Sequence, residues 1–417
     1  MDEETPWQQA LRYANRADPY PFYEELRKTP VTREPDGSYV VGTYWEVVQL
    51  LHDPRVSSDP TKCPRLSWIA GGEGETTADE FSTPDIISSD PPEHDRFRRL
   101  MTRHFYGPPD APDWIARTEP DIHRIVDDLL DKLRDKPRFD AVDDFAYPLP
   151  VSLICQILGV PLEDEPLFHA WIESALDSLD FGPEAKSEEV LGRQQAGDAA
   201  YADIHRYMSG LIDRYAREPG PGMLSAMVHD DSASGPMPRD AIISNALLLL
   251  FAGHETTVNL IAHSLLTLLR HPEALAELRA RPELIVPGVE EMLRLESSVQ
   301  FWFTRSALED IDIAGTTIPK GSPIFLVYGS ANRDPNRFPD PEQVDLERPD
   351  NEHLGYSQGI HFCFGAPLAR LEVQVAVQEF IRRVENPRLV TDPPPYRHNQ
   401  VFRGPRHVLM DADGVRG

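Results

Sequence analysis

The sequence predicts a mainly α-helical fold with small β-sheets, formed as a single domain over residues 1–417. Three observations support this prediction. Forty prolines separate many segments with helical periodicity, runs typical of strands are short and few, and no repeat, long Gly/Ser linker or like-charge block divides the chain. A chain of 417 residues can also bury a sizeable core and a cofactor within it.

The individual elements follow from proline positions and hydrophobic spacing. Helices are expected at residues 120–133, 147–158, 162–179, 195–217, 239–269, 272–280 and 285–295. Strands are expected at residues 38–41, 311–313, 323–328 and 406–410. Irregular, mobile segments are expected at residues 59–92, 182–192 and 218–237. The helix over 239–269 would be about 45 Å long, and because it is apolar almost all round it should lie in the core.

Composition excludes several classes of function. The net charge of -28 argues against binding to nucleic acid or to an anionic membrane. No run of about 18 uncharged apolar residues is present, so no membrane anchor is expected. The acidic N-terminus lacks the features of an export signal, which predicts a cytoplasmic protein, taken to be a monomer. Cys63, Cys155 and Cys363 are too few and too scattered for a disulfide framework, so any cysteine chemistry involves one thiolate.

Cys363 is the candidate for that thiolate. It lies in a glycine-rich loop that runs into an amphipathic helix, and the loop and helix read HLGYSQGIHFCFGAPLAR over residues 353–370. Glycines allow the backbone to approach a flat partner, and a helix start should lower the thiol pKa and favour metal ligation. For Cys63 and Cys155, burial as small apolar side chains is expected instead.

This loop resembles the haem-binding signature of the cytochrome P450 family, in its soluble bacterial branch. Tyr356, Gly359, His361, Cys363 and Gly365 fit the signature, and Ala366 follows. The sequence departs from the signature at its start, where Tyr-Ser replaces the usual Phe-Gly. The resemblance implies haem b as the cofactor, with Cys363 as the axial ligand of the iron and Tyr356, His361 and Gly365 in contact with the haem.

A second motif lies in the middle of the long helix, where Phe251 to Thr257 read FAGHETT. A Thr256 hydroxyl bonded to the carbonyl of Ala252 would loosen the helix there and admit dioxygen or water. In the family, an acid–threonine pair at this place delivers protons for oxygen activation. The resemblance therefore assigns the catalytic roles to Glu255 and Thr256, and places Ala252 and Thr256 beside the haem.

Further motifs occur in the family's order. Glu291 and Arg294 match its Glu-x-x-Arg motif, and Arg348 matches the arginine that completes a buried structural triad. The haem propionates need cationic partners, and the resemblance assigns His94, Arg98, Arg305 and His361 to them. Arg96 is expected to be solvated, while Arg99 and Arg103 are expected to form a basic docking patch for an acidic electron donor.

The resemblance implies a monooxygenase that inserts one atom of O2 into an organic substrate, with electrons from a ferredoxin and its reductase. A role in bacterial secondary metabolism is expected. A peroxide-driven or ring-coupling haem-thiolate oxidase is an alternative, and a non-catalytic haem sensor is a more distant one. Glu255 and Thr256 speak against the peroxide-driven alternative, because peroxide already carries the protons that this pair manages.

The substrate pocket is expected from position along the chain. Its predicted walls are Leu248, Phe251, Ala252, Phe301, Phe303, Val401 and Phe402, with Trp68 and Phe81 in another wall that moves on binding. These side chains favour a small or medium-sized apolar substrate, aromatic or terpenoid, over a bulky macrolide.

Overall fold

Helices make up most of the protein. The computed structural model describes residues 4–62, 83–106, 114–182, 185, 187–230 and 237–417. Its α-helices are α1 Pro6–Leu11, α2 Tyr20–Leu26, α3 Tyr44–His52, α4 Glu93–Phe105, α5 Trp114–Leu133, α6 Pro148–Leu158, α7 Glu165–Asp177, α8 Glu188–Arg217, α9 Gly222–Val228, α10 Arg239–Arg270, α11 Pro272–Ala280, α12 Ile285–Leu295, α13 Tyr328–Ala331 and α14 Ala366–Arg383.

The strands are two or three residues long. They are β1 Val31–Arg33, β2 Tyr39–Val41, β3 Val56–Ser57, β4 Arg138–Asp140, β5 Ser306–Ala307, β6 Ile311–Ile313, β7 Thr316–Ile318, β8 Ile324–Leu326, β9 Val384–Glu385, β10 Arg388–Leu389, β11 Leu409–Asp411 and β12 Gly414–Val415. One sheet has the order β1-β2-β8 and another the order β10-β11-β4, and the other strands pair two by two. In the first sheet β2 pairs antiparallel with β1 and parallel with β8, with Tyr39 opposite Ile324.

Local sequence explains where several helices begin and end. Thr5 and Gln8 form a capping box, in which each side chain binds the other residue's backbone amide, and Pro6 starts α1. α6 ends at Leu158, and Gly159 follows it with a φ of +83°, which is accessible to glycine at little cost. A Cβ there would also lie 2.1 Å from the carbonyl oxygen of Pro221, so the backbone crossing at this point requires glycine.

Helix α10 forms the centre of the core. It packs against α6, α8, α12 and α14, and the side chains of Leu250, Val258 and Ile261 are fully buried. Among the described residues α10 is also the one helix long and apolar enough to cross a membrane, yet 67% of its most apolar window is buried inside the protein. The predicted core position of this helix is therefore confirmed.

Most predicted elements are present with shifted ends. α5 and α8 begin earlier than predicted, so residues 188–192 are helical where an irregular segment was expected. α9 occupies part of the third segment expected to be irregular, residues 218–237. Residues 406–408 precede β11, and the predicted strand over 323–328 ends at Leu326. Trp68, Phe81 and Cys63 lie outside the described residues, as does much of the segment 59–92.

Candidate active site

A cavity lies between α10, α14 and the loop that precedes α14. It encloses about 1530 Å³, part of it open to solvent. Its walls are mostly apolar, and they bring together Cys363, Thr256 and two arginines, Arg98 and Arg305, from distant parts of the sequence. This combination is typical of a ligand site, in which a few polar groups fix the orientation of a largely buried ligand.

The loop before α14 presents Cys363 to the cavity. The amide of Cys363 donates to the carbonyl of Tyr356 over 2.9 Å, closing the loop. At Gly359, φ is +72° and a Cβ would lie 2.5 Å from the carbonyl oxygen of Leu51, so the turn requires glycine. Tyr356 and Gly365 also line the cavity, as predicted for cofactor contacts.

The expectation of a lowered thiol pKa is wrong for the protein alone. Burial raises the pKa of Cys363, because a thiolate is poorly solvated inside the protein. The backbone amides of Gly365 and Ala366 at the start of α14 hydrogen-bond the sulfur and lower its pKa by less than burial raises it. The start of α14 therefore lowers the thiol pKa as predicted, but the effect of burial is larger.

Cationic and imidazole side chains gather at one side of the cavity. Arg98, Arg305 and His361 line it, and the buried ring of His94 lies edge-on to His361 with centroids 4.6 Å apart. Burial and the nearby Arg305 guanidinium lower the pKa of His361 to about 3. Arg98 donates to the carbonyls of Ile360 and Phe362, both over 3.1 Å, which joins α4 to the cysteine loop.

The predicted hydrogen bond in α10 is present. The Thr256 hydroxyl donates to the carbonyl of Ala252 over 2.6 Å, and both residues line the cavity. The helix is nevertheless continuous across these residues, so the expected opening is absent.

Glu255 does not line the cavity. Its buried carboxylate lies 3.1 Å from Arg397 Nε, and Asn259 Nδ2 donates to the same oxygen over 3.1 Å. Burial raises the pKa of Glu255, and Arg397 opposes this rise. Arg397 also donates to Glu173 over 2.9 Å, so Glu255 belongs to a charged network that reaches partly exposed side chains.

The predicted triad is present and buried. Arg294 binds both carboxylate oxygens of Glu291 over 2.8 Å, and Arg348 Nε lies 3.0 Å from the nearer one. Arg294 also donates to the carbonyls of Asn332 and Pro341. The triad therefore connects α12 to the chain that leads towards the cysteine loop.

A second ion-pair group supports the same loop and was missed from the sequence. Arg370 on α14 binds Glu290 in a bidentate pair over 2.8 Å, and His353 joins that carboxylate at 3.1 Å. The Arg370 guanidinium lies 4.5 Å from the ring centroid of Tyr356, a cation–π distance. The motif predicts a partner for Glu291 but not for the adjacent Glu290. The partner of Glu290 is Arg370, which lies 80 residues further along the chain and is found only from the tertiary structure.

The predicted substrate walls are correct in part. Leu248, Phe251, Ala252 and Phe402 line the cavity. Phe301 and Val401 do not, because both are fully buried in a separate apolar cluster with Trp7 and Phe325. Phe303 packs against this cluster and Phe181 instead. The sequence gives no signal for this, since the isolated bridges Val299–Phe402 and Trp302–Leu326 decide which side chains face inward.

Several cavity residues were not predicted. The wall contains Trp302 and Val299 where Phe301 and Phe303 were expected. Its apolar surface also includes Ile86, Ile154 and Leu249. Ser298 and Glu372 add polar groups. On the outer face of α4, Arg99 and Arg103 are exposed as predicted for a docking patch, and Arg96 pairs with Glu93 in a partly exposed ion pair.

Comparisons with known proteins define the class. A sequence profile described as Cytochrome P450 matches residues 217–410. The chain is 37% identical over 378 residues to the cytochrome P450 monooxygenase PikC of Streptomyces venezuelae, covering 88% of this chain and 84% of that protein. It is 35% identical over 411 residues to the 6-deoxyerythronolide B hydroxylase of Saccharopolyspora erythraea, covering 95% and 96%.

Solved structures agree with the sequence comparisons. CYP164A2 of Mycobacterium smegmatis superposes with a TM-score of 0.85 at 35% identity, over 97% of this chain and 99% of that one. The chain therefore belongs to the cytochrome P450 family. It is a haem-thiolate monooxygenase of the bacterial type, which binds haem b through a cysteine and receives electrons from a redox partner.

The cavity residues fit haem b. His94 Nε2 is buried and has no hydrogen-bond partner among the described residues, as expected of a ring that faces a cofactor group, while its Nδ1 lies 2.9 Å from the Asp95 carboxylate. Two arginines and a histidine lie beside it at the cavity wall, enough to neutralise two propionates. Of the two cysteines that the structure describes, Cys155 is buried in the core and Cys363 faces the cavity.

Proposed function

We propose that Cys363 ligates the haem iron and that this enzyme inserts one oxygen atom from O2 into a small or medium-sized apolar substrate. The observation that carries the proposal is the apolar cavity in which Cys363, a cationic group and Thr256 meet. When bound, the haem activates dioxygen, and a thiolate ligand favours cleavage of the O–O bond. The protein supplies position, charge and protons.

At the haem edge, Arg98, Arg305, His361 and His94 would hold the propionates. The positive charge of the two arginines is held in place before binding, since Arg98 is fixed by two loop carbonyls and Arg305 by the carbonyl of Thr304. Ser58 orients His361 by a 2.8 Å hydrogen bond to its Nε2. At the thiolate, the amides of Gly365 and Ala366 would limit the negative charge on sulfur.

On the other side of the cavity, Thr256 would hold a proton at Oγ1 and pass it to the reacting oxygen. In the resting helix this hydroxyl is committed to the Ala252 carbonyl, so donation elsewhere requires a rotation of the side chain. Glu255 would restore protons, and Arg397, which contacts both Glu255 and Glu173, connects it to partly exposed side chains.

The substrate is proposed to be compact and apolar, aromatic or terpenoid. Phe251, Trp302 and Phe402 supply large rigid surfaces, and the cavity must also hold the haem. A role in secondary metabolism is proposed as well, and the protein is proposed to work in the cytoplasm.

The electron donor is proposed to be a ferredoxin that docks on the patch formed by Arg99 and Arg103. These cations are exposed on α4, which also contacts the cysteine loop through Arg98. Charge reversal at Arg99 should slow reduction by ferredoxin, and raising the salt concentration should slow the wild-type reaction similarly. Reversal at Arg206, an exposed arginine on α8, is the matched control. Equal effects of the two variants would reject this docking patch.

The proposed activity is tested by a screen and a labelling experiment. Compounds that turn the iron high-spin would be incubated with ferredoxin, its reductase, a nicotinamide and isotopically labelled dioxygen. A product with one labelled oxygen atom is expected. A product formed only with added peroxide, or a coupled ring without labelled oxygen, would favour the alternative oxidase.

A further inference from the structure

Helix α4 and the residue that follows it bind three carbonyls of the cysteine loop. Arg98 donates to the carbonyls of Ile360 and Phe362. The Tyr106 hydroxyl donates to the carbonyl of Phe364. Arg98 is shared with the proposed propionate site, whereas no step of the proposed function uses Tyr106.

Tyr106 is held in position for this hydrogen bond. Its own amide donates to the carbonyl of Thr102 over 3.0 Å, which ties the residue to the end of α4. Its ring contacts the rings of Phe105 and Phe364, with centroids 4.9 Å and 5.3 Å away. The Phe105 ring also lies edge-on to that of Phe364, at 4.9 Å. Because this aromatic cluster orders the phenol, the hydroxyl loses little further freedom when it donates.

The carbonyl that Tyr106 binds belongs to the same peptide group as the amide of Gly365. A peptide group is planar and trans, so its carbonyl oxygen and its amide hydrogen point in opposite directions. The Gly365 amide hydrogen-bonds the sulfur of Cys363. A donor that fixes the Phe364 carbonyl on one side therefore fixes this amide towards the sulfur on the other side.

The two hydrogen bonds also strengthen each other. Donation to the Phe364 carbonyl polarises the peptide group and makes the Gly365 amide a stronger donor. A donor to a metal-bound thiolate stabilises negative charge on the sulfur, and hydrogen bonds to sulfur are one of the levers that set the potential of such a site. The reduced iron leaves more negative charge at the ligand than the oxidised iron does, so the hydrogen bond favours reduction.

We propose that Tyr106 is a positioning residue, which directs the Gly365 amide at the sulfur of Cys363 and so raises the reduction potential of the haem iron. The inference rests on the proposed function, because it requires Cys363 to be the ligand. No covalent bond changes in this role. The redox partner supplies one electron, the iron is reduced by it, and Tyr106 keeps its proton throughout.

The potential can be measured without turnover. Tyr106→Phe keeps the ring and removes the hydroxyl. Residues that orient a metal ligand typically matter by about 10–100-fold. We therefore expect the equilibrium constant for reduction of the haem-loaded enzyme to fall about tenfold, which is about 59 mV for a one-electron couple.

Tyr215→Phe is the matched control, because the Tyr215 hydroxyl also donates to a backbone carbonyl, that of Gly159 after α6. Its potential should equal that of the wild type. An unchanged potential in Tyr106→Phe, or an equal fall in Tyr215→Phe, would overturn the proposal.

The hydrogen bond itself is tested by changing the strength of the donor. Replacement of Tyr106 by 3-fluorotyrosine keeps the ring and makes the hydroxyl a stronger donor, so the potential should rise. Resonance Raman spectra should place the iron–sulfur stretch at a higher frequency in Tyr106→Phe, because the sulfur then donates more charge to the iron, and at a lower frequency in the fluorinated protein. If both replacements shift the potential in the same direction, packing rather than donation sets it, and the proposal fails.

Failure of the proposed function would have a different result. A folded, haem-loaded wild type without the thiolate-specific band in its reduced, carbon-monoxide-bound spectrum would reject Cys363 as the ligand. If that band is present but Tyr106→Phe loses only stability and keeps the wild-type potential, the role of Tyr106 alone is rejected.

Discussion

Two neighbouring regions of this P450 treat buried charge in opposite ways. Beside the cysteine loop, Glu290 and Glu291 are held by Arg370, Arg294 and Arg348, with nearly ideal hydrogen-bond lengths. We call this group the paired region. On the cavity wall, Thr256 donates only to its own helix and the Oε2 of Glu372 has no partner in the described structure.

The difference indicates that the paired region supports the fold, whereas the cavity wall holds the groups that take part in chemistry. In the paired region each acid has a fixed set of donors, so the loop that presents Cys363 is held in one position. On the cavity wall, polar groups keep hydrogen-bonding positions that can bind water or substrate or exchange a proton. A buried group without a partner costs stability, and such groups concentrate at functional sites.

The largest effect is expected from breaking the paired region. Glu291→Ala leaves Arg294 and Arg348 buried or nearly buried without their carboxylate, which should cost about 3–5 kcal/mol of unfolding free energy. Chemical denaturation with haem absorbance as a second probe would measure this loss. A loss below about 1 kcal/mol would mean that the triad does not support the loop.

A smaller, pH-dependent effect is expected at Glu290. Its pKa is lowered to about 2, with Arg370 and His353 as the partners that oppose burial. A carboxyl with a lowered folded-state pKa contributes stability above its unfolded value of 4.5, and this contribution is lost as pH falls towards 2. It amounts to about 3 kcal/mol at most. Glu290→Gln should therefore flatten the fall in stability over this interval, whereas an unchanged acid-unfolding curve would contradict the pairing.

On the cavity wall, Thr256→Ala should affect chemistry more than stability. The lost hydrogen bond is local to α10 and should cost about 1 kcal/mol. Product per electron consumed should fall while haem content stays the same, with the missing electrons recovered as peroxide. Oxygen electrode and peroxide assays measure this division. Fully coupled turnover in the variant would remove Thr256 from the proton path.

The smallest effect is expected at the surface. Arg281 and Glu347 form a bidentate pair as short as those of the paired region, 2.8 Å, but both side chains are about half exposed. Glu347→Ala should change the unfolding free energy far less than Glu291→Ala does, because water and salt screen an exposed ion pair. A loss as large as that of Glu291→Ala would show that burial is not what distinguishes the two pairs.

Much of the fold and part of the cavity could be predicted from the sequence. Helix positions follow from proline and hydrophobic spacing, and Cys363, Thr256, the triad and the cationic group follow from the family's motifs. The assignments at Phe301, Phe303 and Val401 failed because strand bridges between distant segments decide which side chains face inward. For the buried acids, only the packing of α14 on α10 shows that Glu372, and not Glu255, lines the cavity. The single domain and the monomeric state stay predictions.

The central claim is that Cys363 is the thiolate ligand of the haem. The most direct test is the absorption spectrum of the reduced, carbon-monoxide-bound protein, with Cys155→Ala as the matched control. The wild type and Cys155→Ala should both show the red-shifted band that is specific to thiolate ligation, and Cys363→Ser should lose it. Absence of that band from folded, haem-loaded wild-type protein, or its persistence in Cys363→Ser, would contradict the account.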